Sequence, residues 1–321
     1  MRMKRIFLLL FLSFVLALTL ITWSCVGDTT GEQEEEEEEE EGLQFQSGTY
    51  IDDAGREVEV TEEPESIVSY GPGITEILFA LGLRDRVVGV DTFSDYPEEA
   101  TLKTRVGDAW TPSIETVVGL DPDLILTVES VQLNSDLEAL GYTYLILSPI
   151  DFNGIIDNIR QVGQVTGKTT EGEQLASEME QVVADITEQV EDADRPTVCF
   201  IIDATTLNMP WIAGPGSFID DIINLAGGEN IAASAASEWA QLSIEEIVDA
   251  EPDIIVVQTM AGGIPTVTAE ELEEHIIWQQ LDAVSQGYIY FIDGDLISRP
   301  GPRIVQGLEE MARIIHPEIF D

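Results

Sequence analysis

Few side chains in this sequence are suited to catalysis or to binding a transition metal. The 321 residues include only two histidines, His275 and His316, which are far apart in the chain. No HExxH or CxxC motif of the kind used by zinc sites is present, and no GxSxG motif that would carry a nucleophilic serine. We therefore predict no catalytic residue and no dedicated metal site. The two histidines are expected to be solvated or to cap helices.

A set of aromatic residues and one arginine is suited to binding a large ligand. Tyr96, Trp110, Trp211, Trp239 and Arg299 stand just beyond predicted strands, in loops or ahead of a helix. Open parallel sheets bind ligands outside the carboxyl ends of their strands, so these side chains are expected to face one cleft. Core packing explains each aromatic taken alone. The set favours a platform for a bulky, partly apolar ligand, to which the arginine would add charge or hydrogen bonds.

Two Gly-Pro-Gly turns allow a different interpretation. Gly71 and Gly214 each begin such a turn ahead of an apolar helix pattern. Backbone amides at the start of a helix can bind an anion, which would suit an enzyme. A tight turn from strand into helix explains the same residues. An enzyme or a metallochaperone on this scaffold remains an alternative, because a fold does not fix a function.

Short apolar segments of strand length alternate with helical patterns along the body of the chain. Continuous apolar strands joined by helices predict parallel sheets covered on both faces, and hence an α/β fold. In the first half the predicted strands are 66–70, 87–90, 124–128 and 144–147, and the predicted helices are 75–81, 114–118 and 134–140. In the second half the predicted strands are 197–202, 254–258 and 289–292, and the predicted helices are 218–226 and 244–250.

The body contains an internal duplication. Residues 113–126 (SIETVVGLDPDLIL) align with residues 243–256 (SIEEIVDAEPDIIV) at a constant offset of 130. This period is far too long for a solenoid repeat, so we predict two homologous lobes. Glu115 and Glu245 hold equivalent positions at the starts of equivalent helices. They are expected to present two acidic contacts related by a pseudo-twofold axis, although each also suits a helix N-terminus.

Between the lobes, apolar residues recur at helical spacing with almost no strand signal. They predict two helices, the first capped by Asp151 and stopped at Gly167. A helix of about 16 residues spans roughly 24 Å, which is long enough to connect two lobes stiffly.

The first 42 residues have the features of targeting and linker sequence. A basic start is followed by the apolar run Ile6–Ile21, and Ser24 precedes Cys25. This predicts a secretory signal with lipidation of Cys25, and an uncleaved signal anchor is the alternative. The eight glutamates Glu34–Glu41 predict a solvated linker. We therefore predict an extracytoplasmic body anchored to the outer face of the cell membrane.

The body itself is strongly acidic. Residues 43–321 contain 11 basic and 52 acidic side chains, a net charge of −41 within the −48 of the whole chain. This charge disfavours nucleic acid and anionic lipid as partners and suggests a saline habitat. The patterns divide the chain into a signal peptide (1–24), an anchor cysteine with acidic linker (25–42), an N-terminal lobe (43–149), connecting helices (150–195) and a C-terminal lobe (196–321).

Six short motifs occur in a fixed order over about residues 50–318. They are VSYGPGITEILFALG (68–82), SDYPEEA (94–100), GDAW (107–110), Glu115 with LDPDLI (120–125), AGGENI (226–231) and PGPR (300–303). In this order they resemble the substrate-binding proteins of cobalamin, haem and iron-siderophore ABC importers, with the cobalamin-binding proteins the most similar.

The resemblance implies two Rossmann-like lobes, each a parallel sheet covered by helices, joined by a long interlobe helix. A tryptophan expected at the end of the third strand falls on Val128, which leaves a corrinoid, haem or a ferric siderophore open as the ligand. The residues implied to line the site between the lobes are Pro72, Tyr96 and Trp110 from the first lobe and Trp211, Trp239, Asp295 and Arg299 from the second.

The resemblance also implies a monomeric receptor that is not an enzyme and holds no resident cofactor. Its partner would be an ABC permease homodimer with its ATPase subunits. Proteins of this family dock on the permease through one glutamate in each lobe, which would be Glu115 and Glu245 here. The twofold axis of a homodimer matches the predicted pair.

Overall fold

The structure, a computed structural model, describes residues 45–260 and 262–320. The predicted signal peptide, the lipidation site at Cys25 and the acidic linker lie outside these residues. No helix in the described part of the chain is both long enough and apolar enough to cross a bilayer.

The first lobe contains seven strands and three α-helices. Its elements are β1 (Gly48–Ile51), β2 (Glu57–Val60), β3 (Ile67–Ser69), α1 (Pro72–Ala80), β4 (Val87–Val90), a 3₁₀ helix (Glu98–Leu102), β5 (Thr104–Arg105), α2 (Ile114–Leu120), β6 (Leu124–Thr127), α3 (Val131–Leu140) and β7 (Tyr144–Ile146).

A parallel sheet in the order β5-β4-β3-β6-β7 forms the centre of this lobe. The four predicted strands and three predicted helices of the first half are confirmed, with ends shifted by three residues at most. The antiparallel hairpin β1-β2 and the strand β5 were not predicted. The hairpin is mostly exposed and polar and β5 has two residues, so neither produces an apolar run of strand length.

Two helices connect the lobes: α4 (Phe152–Val165) and α5 (Thr169–Val190). The predicted cap is confirmed, because the backbone N–H of Gly154 donates to the Asp151 carboxylate at 2.7 Å. Gly167, just after the end of α4, has a φ of 72°, the left-handed conformation in which helices commonly stop.

The second lobe repeats the alternation of strands and helices with additions. Its elements are β8 (Thr197–Asp203), β9 (Trp211–Ala213), α6 (Phe218–Leu225), β10 (Glu229–Asn230), β11 (Trp239–Gln241), α7 (Ile244–Ala250), β12 (Ile254–Met260), β13 (Ile264–Pro265), α8 (Ala269–Glu274), a 3₁₀ helix (Trp278–Gln280), α9 (Asp282–Ser285), β14 (Ile289–Asp293), α10 (Gly294–Ile297), α11 (Ile304–Ile315) and α12 (Pro317–Phe320).

The second sheet is mixed, whereas the sequence predicts a parallel one. Strands β10, β8, β12 and β14 pair in parallel, but β9, β11 and β13 pair antiparallel with their neighbours. Only residues 204–210 connect β8 to β9, and a parallel crossover needs a dozen or more residues. The chain therefore turns back on itself at this edge.

The duplication is visible in the local geometry of both lobes. The order β4-β3-β6-β7 corresponds to β10-β8-β12-β14. Asp123 accepts hydrogen bonds from the backbone N–H and hydroxyl of Ser66, both at 2.8 Å, and Asp253 accepts the same pair from Thr197, both at 2.8 Å. The two homologous lobes are therefore confirmed.

One apolar core extends from the first lobe through the connecting helices into the second. It includes Leu78 of α1, Ile159 of α4 and Ile223 of α6, all fully buried. Helix α4 packs against both α1 and α6. The second cysteine, Cys199, is buried in a separate cluster, and burial raises the pKa of its thiol to about 12. The predicted α/β architecture of two lobes with helices between them is confirmed.

Candidate ligand-binding site

A cavity of about 260 Å³ opens at the carboxyl ends of the first-lobe strands. Its wall combines residues that follow β3, β4, β6 and β7 with residues of the second lobe. The carboxyl ends of parallel strands meet at one edge of a sheet, which brings these distant residues together. The lining residues include Tyr70, Asp91, Phe93, Val128, Ser298 and Pro300.

Two of the predicted ligand residues line this cavity, Pro72 and Trp110. Pro72 is the first residue of α1, and Gly71 before it has a φ of 144°, which favours glycine. Trp110 is 74% exposed. Its backbone N–H donates to the Asp108 carboxylate at 2.8 Å, which holds the loop in place. A large aromatic side chain exposed beside a cavity is suited to stacking on a ligand.

Phe93 lines the same cavity and was missed in the sequence analysis. It is the third residue after β4 and stands three residues before Tyr96, so its position after a predicted strand could have identified it. Its ring is 52% exposed. Val128, where a tryptophan was expected, also lines the cavity. The smaller side chain leaves more room at this wall.

Tyr96 contacts the second lobe and does not line the cavity. Its ring lies under the guanidinium of Arg303, 3.9 Å from the guanidinium carbon to the ring centroid. A cation over an aromatic face is attracted by the ring quadrupole. The side chain of Tyr96 remains 47% exposed.

The two second-lobe tryptophans lie on neighbouring strands. Trp239 was predicted in a loop but belongs to β11, which pairs antiparallel with β9, the strand of Trp211. Both side chains are about two-fifths exposed, and Trp239 meets Phe218 edge to face with ring centroids 6.0 Å apart. Trp239 borders a second depression of about 380 Å³ with Pro215 and Glu238. Neither tryptophan lines the first cavity.

Arg299 and Asp295 form an ion-pair cluster with a first-lobe carboxylate. Arg299 is 9% exposed. Its Nη1 lies 2.5 Å from Asp95 Oδ1, and its Nη2 lies 2.6 Å from Asp295 Oδ1. The hydrogen bond and charge of Arg299 hold the pKa of Asp95 below its usual value, while burial raises the pKa of Asp295. The structure thus brings Arg299 and Asp295 together with Asp95, which the sequence analysis did not identify.

A second ion pair crosses between the lobes nearby. Glu76 of α1 is 3% exposed and accepts hydrogen bonds from Arg303 at 2.7 Å and 3.0 Å, a bidentate geometry. Burial raises the pKa of Glu76, and the hydrogen bonds and charge of Arg303 oppose that rise. The backbones also approach closely here, because a Cβ added at Gly73 would lie 2.5 Å from the Pro300 carbonyl oxygen.

A buried chain of hydroxyls lies beneath the cavity. Ser69 and Thr75 share a hydrogen bond of 2.8 Å, and Thr75 and Ser94 share one of 2.7 Å. The Ser94 hydroxyl donates to the carboxylate of Asp91, and burial raises the pKa of that carboxyl group. This network positions the segment that follows β4, which carries Phe93 and Tyr96.

The second Gly-Pro-Gly turn connects β9 to α6, which confirms the interpretation as a tight turn from strand into helix. Helix α6 starts after Ser217, whose hydroxyl accepts a hydrogen bond from the backbone N–H of Asp220 at 3.2 Å. Gly214 also packs closely against the backbone at Ser237, since an added Cβ would lie 2.1 Å from the Ser237 carbonyl oxygen. This second turn therefore serves close packing.

Both histidines stand at helix ends. His275 and His316 are the C-cap residues of α8 and α11, which confirms the capping alternative. His316 is buried and not solvated, with Nε2 3.3 Å from the Gly227 carbonyl oxygen. In residues 45–260 and 262–320, no cluster of three or more His, Cys, Asp or Glu side chains is arranged to hold a metal ion.

Glu115 and Glu245 are the second residues of α2 and α7, in keeping with their equivalence in the sequence. Both are exposed. Within the described residues, neither carboxylate takes part in a salt bridge. Each lobe thus presents one exposed carboxylate at the first turn of the corresponding helix.

The comparisons with known proteins fit this geometry. The family model described as "Periplasmic binding protein" matches residues 67–296. The chain belongs to the periplasmic binding protein family. This binding protein is 34% identical over 279 residues to an ABC transporter substrate-binding lipoprotein of Bacillus subtilis, covering 84% of this chain and 86% of the relative. It is 31% identical over 277 residues to the cobalamin-binding protein of Halobacterium salinarum, covering 84% and 74%.

Solved structures show the same fold. The vitamin B12 binding protein of Vibrio cholerae superposes on this binding protein with a TM-score of 0.69 and 26% identity, covering 79% of this chain and 98% of that one. The periplasmic haem-binding protein of Roseiflexus, in its apo form, gives a TM-score of 0.69 and 29% identity, with 79% and 98% covered.

Proposed function

We propose that this protein is the extracytoplasmic receptor of an ABC importer and binds a bulky metal chelate between its two lobes. The observation that supports this most is the cavity between the lobes, bordered by Phe93 and the highly exposed Trp110. A concave site with exposed aromatic faces and few polar groups suits a large, flat ligand. The lobes would hold the ligand without chemical conversion, and the importer would release it by separating them.

Cobalamin is the preferred ligand in this proposal. Relatives from Halobacterium salinarum and Vibrio cholerae are named for cobalamin or vitamin B12. Val128 is the observation that favours the second candidate class, haem or a ferric siderophore, because the tryptophan expected for cobalamin is missing. A structural neighbour of Roseiflexus is named for haem.

Docking on the importer would use the equivalent carboxylates of the two lobes. Glu115 and Glu245 are exposed at the first turns of α2 and α7. Two such carboxylates related by a pseudo-twofold axis would match basic residues repeated across a permease homodimer. Lipidation of Cys25 would keep the monomeric receptor near its permease.

A ligand screen by calorimetry tests the receptor proposal. The purified protein is titrated with cyanocobalamin, haemin and ferric siderophores, and at least one is expected to bind with a dissociation constant below about 1 μM. Trp110→Ala should weaken that binding by about tenfold or more, because a stacking face is lost. Tyr288→Ala is the matched control, since Tyr288 is exposed at the amino end of β14, away from the cleft. Absence of binding to every compound would refute the proposal.

The enzyme and metallochaperone alternative makes a different prediction. It requires turnover of a bound compound, or a metal ion that remains bound in stoichiometric amount after treatment with a chelator. Metal analysis and product analysis of the same calorimetry samples would reveal either result.

A further inference from the structure

The cleft arginines are already neutralised by carboxylates of this chain. The side chain of Arg299 is 10% exposed, and two of its nitrogens lie 2.5–2.6 Å from Asp95 and Asp295. Arg303 is held by the bidentate contact with Glu76 and by the ring of Tyr96. A ligand anion would have to displace one of these partners before it could pair with either guanidinium.

The wall of the cavity carries a carboxylate and, among its described residues, no cationic side chain. Among its described lining residues, Asp91 is the single charged side chain. The nearby Arg105 is not among these residues, and its Nη1 donates hydrogen bonds of 2.7 Å to the backbone carbonyls of Asp91 and Ser94. The surrounding body, residues 43–321, has a net charge of −41. The field in the cleft therefore opposes an anion.

We propose that this site selects chelates without net negative charge and excludes anionic ones. This inference rests on the proposed receptor function and narrows its ligand class to neutral or cationic complexes. An anionic group in the cleft would stand near the carboxylate of Asp91, or it would break the Arg299 cluster and leave Asp95 or Asp295 unpaired. Juxtaposed like charges and lost ion pairs both weaken binding.

Matched ligands separate charge from size. The purified protein is titrated with cyanocobalamin and with its monocarboxylic acid, in which one side-chain amide is a carboxylate. A neutral ferric hydroxamate is compared with an anionic ferric tris-catecholate, and haemin, with two propionates, is the fifth compound. Within each pair the anionic member is expected to bind at least about tenfold more weakly. An anionic member that binds as tightly as its neutral partner, or haemin as the tightest ligand, overturns the charge inference and leaves the receptor function standing. Failure of all five to bind overturns the receptor proposal itself.

Substitution of Asp95 tests whether the preference for neutral over anionic ligands depends on the Arg299 cluster. Asp95→Asn removes one partner of Arg299 and one negative charge, so the affinity ratio of neutral to anionic member should shrink several-fold. Asp85→Asn makes the same charge change in the same lobe. Asp85, however, lies at the amino end of β4, away from the cleft, and its side chain is 94% exposed. That variant should keep the wild-type ratio. An unchanged ratio in Asp95→Asn contradicts the inference, because the ratio does not depend on a general loss of affinity.

Discussion

At the scale of single residues, the carboxylate of Glu76 is the most deeply buried charge that joins the two lobes. It is 3% exposed and paired with Arg303 at 2.7 Å. Removal of one partner of a buried ion pair leaves the other charge without compensation, and this penalty usually exceeds the net stabilisation by the intact pair. The contact therefore matters more for the fit between the lobes than for total stability.

Glu76→Ala is expected to lower the free energy of unfolding by about 2–4 kcal/mol, because Arg303 loses both acceptor oxygens and the truncated side chain leaves a cavity between the lobes. Urea unfolding followed by circular dichroism would measure it. Glu138→Ala, at an exposed position of α3, is the control and should change stability by less than about 0.5 kcal/mol. Equal effects of the two substitutions would contradict the structural role of the pair.

Asp91 leads to a pH-dependent prediction. Burial raises its pKa above the ordinary value of 3.8, so the ionised carboxylate costs folding free energy that the protonated form does not. The stability of wild type relative to Asp91→Asn should therefore fall as the pH rises through the window above 3.8. Urea unfolding at several pH values between 3 and 6 would show this slope.

Asp123→Asn is the matched control, for which the opposite dependence of stability on pH is expected. Partial burial alone would raise its pKa, but hydrogen bonds from Ser66 and Glu65 lower it below 3.8. The stability of wild type relative to Asp123→Asn should therefore rise with pH in the window below 3.8 and level off above it. If relative stability changed with pH in the same direction for both variants, the opposite pKa shifts assigned to Asp91 and Asp123 would be refuted.

At the scale of secondary-structure elements, the start of α1 determines how closely the lobes approach. Gly73 faces the backbone of the second lobe, where an added Cβ would lie 2.5 Å from the Pro300 carbonyl oxygen. Backbone atoms cannot move aside as a flexible side chain can. Helix α1 and the segment after α10 can therefore pack at this distance only when residue 73 has no side chain.

Gly73→Ala is expected to lower the free energy of unfolding by about 1–3 kcal/mol through overpacking and to weaken ligand binding, since Pro72 and Pro300 line the cavity. Thermal unfolding and calorimetry would measure the two effects. Gly119→Ala in α2 is the control, because an added Cβ there has no atom within 4 Å. That variant should gain up to about 1 kcal/mol from helix propensity. A neutral Gly73→Ala would show that the lobes do not meet as described.

At the scale of the whole molecule, the duplication gives the receptor two equivalent faces. The helices α2 and α7 precede the equivalent strands β6 and β12 and present Glu115 and Glu245 at their first turns. The cleft lies at the carboxyl ends of the first-lobe strands and neither glutamate lines its cavity, so the proposed docking would use other residues than the proposed ligand binding.

Reversal of both charges, Glu115→Arg with Glu245→Arg, is expected to abolish ligand uptake by cells and to leave ligand affinity intact, because like charges would face each other at the permease. Uptake of labelled ligand and calorimetry would measure the two quantities. Glu138→Arg with Glu270→Arg, an exposed pair on other helices, is the control and should retain uptake. Loss of affinity in the first double variant would place these glutamates in the ligand site and contradict the docking role.

The sequence by itself was sufficient for most of the architecture. Apolar runs of strand length and the 130-residue offset predicted the lobes, because burial of a parallel sheet on both faces requires continuous apolar strands. The start of α4 was predicted from Asp151 alone, because an aspartate carboxylate accepts a hydrogen bond from a free backbone N–H at a helix start. Pro72 and Trp110 were placed at the site from family motifs, and both line the cavity.

Only the tertiary structure decided how the cleft charges are distributed. Arg299 was expected to offer charge to a ligand, yet Asp95, 204 residues away in the chain, pairs with it. Phe93 and the Glu76–Arg303 contact, which spans 227 residues, left no periodic signal. The mixed edge of the second sheet was also hidden, since β9 and β11 have three residues each. Periodicity reports burial within one element, whereas ion pairs between lobes depend on how residues far apart in the chain are brought together.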